Sequence, residues 1–210
     1  MRDLVKGTLK FAGVIAAILA AIAVVLRLTV VDVAVVGHNA MAPTMEAGEQ
    51  VLIWHGTEFD RGTIAVCAHP ENPGEMVMGR VVGLPGETVS SERGSFRVNN
   101  RARDTDWRGD VRFTDTLNNR TDTVKLGIES MGNHEHGIFH RGTQEFSIRD
   151  YEVEEGRLYL LGDNRFHRGN DSRDFGTVLA ADCLGYVFMR LKPAEIPVND
   201  LGHSYMDLLR

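Results

Sequence analysis

Few side chains in these 210 residues are spaced for chemistry. His134, His136 and His140, with Glu135 among them, form the one metal-like cluster. Imidazoles in a His-x-His pattern suit zinc, but no cysteine accompanies them and no fixed helical spacing joins them, so they read as a polar loop and no metal or cofactor is expected. Two short runs, Gly162–Asp163–Asn164–Arg165 and Asp171–Ser172–Arg173, crowd carboxylates against guanidinium groups, a pairing that usually holds loops together. Cys67 and Cys183 lie far apart in sequence. An oxidising setting would let them pair, yet they form no framework pattern, and two buried free thiols are the simpler expectation. Asn119–Arg120–Thr121 and Asn170–Asp171–Ser172 match the glycosylation triplet, a pattern too short to carry weight.

The elements that must position these groups are mostly strands. Valine-rich alternation predicts them at residues 30–36, 50–54, 63–68, 76–82 and 88–90, punctuated by Pro43, Gly48, Gly62, Pro70, Pro73 and Pro85–Gly86. Further strands are expected at 145–148, 158–161 and 183–191, and a hairpin arm at 94–99. Residues 101–125, rich in Arg, Asp, Asn and Thr, read as a solvated and partly flexible insertion. The fold class is therefore all-β, a barrel or sandwich, and the length suits one globular domain with a subsidiary lobe.

Ahead of it, residues 11–26 are uncharged and strongly apolar, and Arg27 with residues 28–31 extends the run. As a helix this spans about 31 Å, matching a hydrocarbon core of about 30 Å. Arg2, Lys6 and Lys10 precede it, which places the N-terminus in the cytoplasm and the remainder outside. Arg27 can snorkel to the outer interface. A cleaved secretory signal is the competing reading, but the apolar run passes into residues 30–36 without a small-x-small exit, so a retained anchor is expected. The expected divisions are a cytoplasmic 1–10, an anchor over 11–31, and an extracytoplasmic 32–210 with its core at about 32–100 and 145–193 and an inserted lobe at about 101–144. The net charge of −6, with no basic patch in the C-terminal portion, argues against nucleic acid as a partner.

Four segments in order carry a family resemblance: Val36 to Thr44, Met78 to Glu87, Leu160 to Arg165, and Asp171 to Gly176. Together they resemble the signature segments of type I signal peptidases, over roughly residues 5–100 and 145–193. In that family the first segment reads S-M-x-P-T and the second K-R-V-x-G-x-P-G-D, and the serine and lysine do the chemistry. This sequence has Ala40 and Gly79 there. A serine hydroxyl is a poor nucleophile until a base removes its proton, and a lysine serves only when burial brings its pKa down from about 10.4. Ala40 offers a methyl group and Gly79 no side chain. Arg80 cannot substitute, since a guanidinium keeps its proton and alternation along a strand turns residue 80 away from the pocket.

The resemblance implies a signal-peptidase-like β core with an inserted variable lobe behind one transmembrane helix. It gives Met41, Pro43 and Thr44 the scaffold around the nucleophile position, and Pro43 fixes that turn whether or not chemistry occurs. Arg80, Gly83 and Pro85 match the second motif, Gly162, Asp163, Asn164 and Arg165 the final box, and Asp171 with Arg173 the internal ion pair. His38 stands where relatives have glycine or serine and is expected to have no catalytic role. Two departures accompany the missing pair: five residues separate Arg165 from Asp171 where the family commonly has four, and the serine that would hydrogen-bond the lysine is absent. Three losses in one network fit the decay of one machine.

The expected function is a membrane-anchored, catalytically silent signal peptidase homologue that binds exported peptides or proteins as a chaperone or assembly factor, with a pilin among its possible partners. The alternatives are an active peptidase using an unrecognised nucleophile (Thr44, Ser90 or Ser91), an enzyme disabled by engineering at Ala40, and a structural membrane-tethered domain with a filled groove.

Overall fold

A computed structural model describes residues 2–92, 94–132, 134–141, 146–198 and 201–209, with side chains of the first helix over 11–25. The chain divides into two compact units, 1–32 and 33–210. The first unit is built on α1 (Arg2–Thr29). Its residues 11–25 are all exposed, among them Phe11, Val14, Ile18, Leu19 and Ile22. Among the described residues no helix is long and apolar enough to cross a membrane. The helix also stops short of the expected residue 31, because the β-branched run from Val30 onward favours extended backbone.

After α1 come β1 (Val31–Val35), β2 (Gln50–His55), β3 (Ile64–Ala68), β4 (Met76–Gly83), β5 (Thr88–Glu92), β6 (Ser95–Val98), β7 (Arg101–Ala102) and β8 (Thr105–Asp115). Next are β9 (Arg120–Met131), β10 (His134–His140), β11 (Tyr151–Glu152), β12 (Arg157–Leu161), the short helix α2 (Ser172–Phe175), β13 (Val178–Leu179), β14 (Cys183–Lys192) and β15 (Asp207–Leu208). The main sheet runs β1-β2-β14-β3-β4-β12-β13, with β15 added to β14. A second sheet, β11-β5-β6-β7, forms the arm, and a third, β10-β9-β8, forms the inserted lobe. The all-β expectation holds. Apolar clusters fill the space between these layers: Met41, Met45, Ile53 and Val66 in one, Val82, Phe96, Met131 and Leu161 in another.

Four local expectations are corrected. Residues 101–125 are not a flexible insertion: β8 and β9 pair along almost their whole length. One face carries Val111, Phe113, Val124 and Leu126 into a core cluster, and the other carries the Arg, Asp and Thr that made the average composition look like coil. The histidine cluster is not a loop either, since residues 134–140 form β10 and His136 is buried. Residues 146–148 form no strand, although Phe146 and Ile148 are buried and the Ile148 backbone bonds Ser91; Glu145 lies outside the described residues.

The fourth correction concerns the cysteines. Cys67 on β3 and Cys183 on β14 are direct cross-strand partners and form a disulfide. No spacing pattern marks the pair because the two strands meet only after the intervening lobes have folded back. A bridge closing so long a loop restricts the unfolded chain strongly. Replacing Cys183 by alanine should lower stability by about 2–5 kcal/mol, read as an earlier urea midpoint, and a midpoint indifferent to the substitution would contradict the pairing.

Candidate functional site

Residues 38–49 form a tight loop between β1 and β2, and its centre is the single 3-10 turn Asn39–Met41. The Ala40 N–H donates to His38 Nδ1 at 3.2 Å, and the Ala40 carbonyl accepts the Asn164 N–H at 2.9 Å. Asn164 Nδ2 donates to the Asn39 carbonyl at 3.0 Å. Gly162 is required here, because a Cβ on it would stand 2.6 Å from the Ala40 oxygen. Ala40 and Met41 are buried, and Ala42–Pro43 is a cis peptide. Pro43 packs on β10, where a Cβ at Gly137 would fall 2.7 Å from its Cγ.

On β4, Gly79 is buried with its open side against β12: a Cβ there would sit 2.9 Å from Leu160 Cβ. Arg80 takes the opposite face, as strand alternation requires. It is fully buried and each of its guanidinium nitrogens has a partner. Nε donates to Asp163 Oδ1 at 2.8 Å, Nη2 to Asp163 Oδ2 at 2.6 Å, and Nη1 to the Gly62 carbonyl at 2.6 Å. Thr44 closes the arrangement, its hydroxyl donating to Asp163 Oδ2 at 2.5 Å. Further along β4, Gly83 lies where a Cβ would come 2.5 Å from Val89 Cγ2, and exposed Pro85 leads the turn into β5.

The box 162–165 and the segment 171–173 form one scaffold. Asp171 Oδ2 accepts the Gly162 N–H at 3.0 Å and Arg173 Nη2 at 2.7 Å, while Arg173 Nη1 donates to the Arg165 carbonyl at 2.6 Å. Ser172 Oγ accepts the Leu160 N–H at 2.8 Å. Arg165 then reaches into the inserted lobe and pairs with Glu129 of β9 at 2.6 Å. Between the two ion pairs sits His136, whose Nε2 lies 3.5 Å from Glu129 Oε2 and 3.6 Å from Asp163 Oδ1.

Electrostatics follow from burial. Burial raises the Asp163 carboxyl most strongly, but the Arg80 charge, His136 and the hydrogen bonds from Arg80 and Thr44 together outweigh it and hold the group below the usual carboxylate range. Burial likewise pushes Glu129 up, and Arg165 with His136 overrides it, bringing the carboxyl down to about 2. For His136, burial and then the Arg80 charge lower the pKa, so the ring is neutral at pH 7. His38 is also lowered, by burial and by His167, whose ring stacks on it at 6.0 Å between centroids.

Of the sequence-assigned positions from residue 38 to 44, Ala40 and Thr44 meet Gly162–Arg165, while Pro43 meets Gly137 and His38 stacks on His167; Arg80 joins at Asp163, and Asp171 and Arg173 brace the box. His134 and His140 do not join His136 in a metal cluster. Among the described residues the only group close enough to share an ion is Glu46, Glu49 and His203, and there Arg190 Nε lies 2.9 Å from Glu49, supplying the positive charge. Sequence reasoning singled out His136 only as part of a histidine loop and missed Glu129, Glu49 and Arg190. Their partners lie in distant segments, and no local spacing marks them.

A family model described as "Signal peptidase, peptidase S26" matches residues 9–192. The chain is 34% identical over 175 residues to "Signal peptidase I" of Streptococcus pneumoniae, covering 77% of this chain and 82% of that protein. It is 27% identical over 187 residues to "Signal peptidase I" of Pseudomonas aeruginosa, covering 79% and 63%. A solved structure of a signal peptidase I from Enterococcus faecalis overlays with a TM-score of 0.39 at 23% identity, covering 61% of this chain and 96% of that one.

Removing one partner of a dry ion pair leaves the other charge stranded, so Asp163→Ala should cost about 3–5 kcal/mol in urea unfolding; a loss under 1 kcal/mol would show that Arg80 finds water. Because the Glu129 carboxyl is depressed in the folded state, its stabilisation is full above the ordinary glutamate value of about 4.3 and is lost as pH falls from there towards 2. Glu129→Gln should flatten that part of the stability–pH curve, and an unchanged slope would assign it elsewhere.

Proposed function

This chain belongs to the signal peptidase family, peptidase S26, and we propose that it is a non-cleaving member, held at a membrane by α1, that binds extended segments of exported proteins and assists their assembly. The observation that carries this reading is the pair Ala40 and Gly79, which stand at the motif positions where peptide cleavage would need an oxygen nucleophile and an amine base. Neither side chain can take part in a proton transfer. The space beside Gly79 is also closed by Leu160, so a longer side chain would have to displace β12.

Two of the alternative hydroxyls are engaged in the scaffold. Thr44 is committed to Asp163, and Ser91 Oγ accepts from the Ile148 N–H. What supports peptide binding is the edge of β4. β12 pairs with it at residues 80–83, and among the described residues 76–79 have a strand partner only on the β3 side. An extended segment can add to such an edge through main-chain hydrogen bonds. The exposed apolar side chains of residues 11–25 support α1 as the anchor, with the basic residues before it favouring a cytoplasmic N-terminus. A pilus subunit is one client of the proposed class.

The test is to incubate the purified chain with a secretory precursor. The proposal expects co-elution with the precursor and no cleavage product; product that survives removal of contaminating proteases would overturn it. Gly79→Lys should lower the melting temperature, since the new side chain is overpacked against Leu160 at a cost of about 1–3 kcal/mol and its amine is buried. An unchanged or higher melting temperature would reveal an open pocket.

A further inference from the structure

Between the arm and the inserted lobe lies a cavity of ≈ 270 Å³, lined by Phe96, Arg103, Trp107, Glu129, His140 and Arg165 among others. It is apart from Ala40 and Gly79, and the scaffold network uses only Glu129 and Arg165 of its walls. Its volume falls just under the range of about 300–1,000 Å³ typical of drug-sized ligands, which suits a molecule of amino-acid size.

Arg103 is the unexplained group in this wall. Its backbone N–H is held by the Phe96 carbonyl at 2.9 Å, which fixes the residue at the cavity. Its side-chain Nε is buried without a hydrogen-bond partner, and the guanidinium forms no ion pair among the described residues. The nearby carboxylates do not serve it: Glu129 is taken by Arg165, Glu87 by Arg61, and Asp104 is exposed. Burial and the repulsion of Arg61 both disfavour its charge, holding it below the usual arginine range. A buried donor left unmade is costly, so the site gains most from a planar acceptor that a guanidinium fork can match.

Three rings, Phe96, Trp107 and His140, stand in the same wall among small and polar residues. Trp107 is half exposed, its ring meets His140 edge-on at 5.8 Å, and it lies against β9 only because a Cβ on Gly127 would stand 3.1 Å from its ring carbons. Phe96 in the same wall is buried, 6.0 Å from the Arg165 guanidinium. Such rings accept an apolar body and leave its polar end to the arginine.

We propose that this cavity is a binding site for a carboxylate carried on an aromatic or apolar body, with Arg103 pairing the carboxylate and Trp107 covering the body. Two sources share that chemistry: a free aryl acid, and the C-terminal residue of a polypeptide. The site is independent of peptide binding at β4.

Trp107 and Trp54 are the two tryptophans of the chain, so Trp54→Phe in the full chain leaves Trp107 as the sole indole reporter. Titration with N-acetylphenylalanine should give a saturable change in its emission. N-acetylphenylalaninamide, lacking the charge, should bind at least roughly tenfold more weakly, and Arg103→Gln should weaken the acid by a similar factor. If 3-phenylpropionate matches the acetylated acid the site takes free acids, and if it is much weaker the site reads a chain terminus; either result upholds the carboxylate pairing. No saturable change, or equal affinity for acid and amide in the unaltered arginine background, would overturn the proposal.

Discussion

The buried pair Arg80–Asp163 is the constraint on which the remaining architecture depends. Two charges with no exposed side-chain surface are tolerable only when geometry and hydrogen bonding are nearly complete. Here they are. Asp163 receives both guanidinium contacts and the Thr44 hydroxyl, and the Arg80 donor left over meets the Gly62 carbonyl. That satisfaction fixes three segments relative to one another: β4, the loop after β12, and the loop 38–49. A slip of one residue along β4 would turn Arg80 to the other face and leave Asp163 charged and alone, so the pair specifies register as well as adding stability.

The same logic runs outward. Arg165 leaves the loop of Asp163 and pairs with Glu129 in the inserted lobe, while Asp171 and Arg173 brace its backbone. His136 stands between the two carboxylates, kept neutral by burial and by Arg80. Core and lobe are thereby joined through charged side chains on a strand that its composition alone would have left in solvent. The network explains why residues of the family's signature segments persist beside Ala40 and Gly79. Their contacts hold loops together, and that requirement survives whether or not a bond is ever broken.

Much of this was legible in the sequence. The expected strands match β1, β2, β3, β4, β12 and β14 of the main sheet to within a residue or two, the two-residue β13 and β15 went unseen, and strand alternation turned Arg80 to the face opposite Gly79. What escaped was long-range. Cys67 and Cys183 become neighbours only through the pairing of β3 with β14, and Glu129 gains its meaning only from Arg165. The inserted lobe was misread for a different reason: in a two-faced ribbon the exposed half dominates the composition, and the alternation of Val111, Phe113, Val124 and Leu126 was hidden among charged neighbours.

The central proposal is chemical: Ala40, at the centre of a loop held by Asn164 and Gly162, offers only a methyl group and no oxygen for attack. The most direct measurement is the intact mass of the chain after exposure to a signal-sequence peptide bearing an acylating carbonyl. The account predicts an unchanged mass. A stoichiometric acyl adduct on any serine or threonine of the folded protein would contradict it.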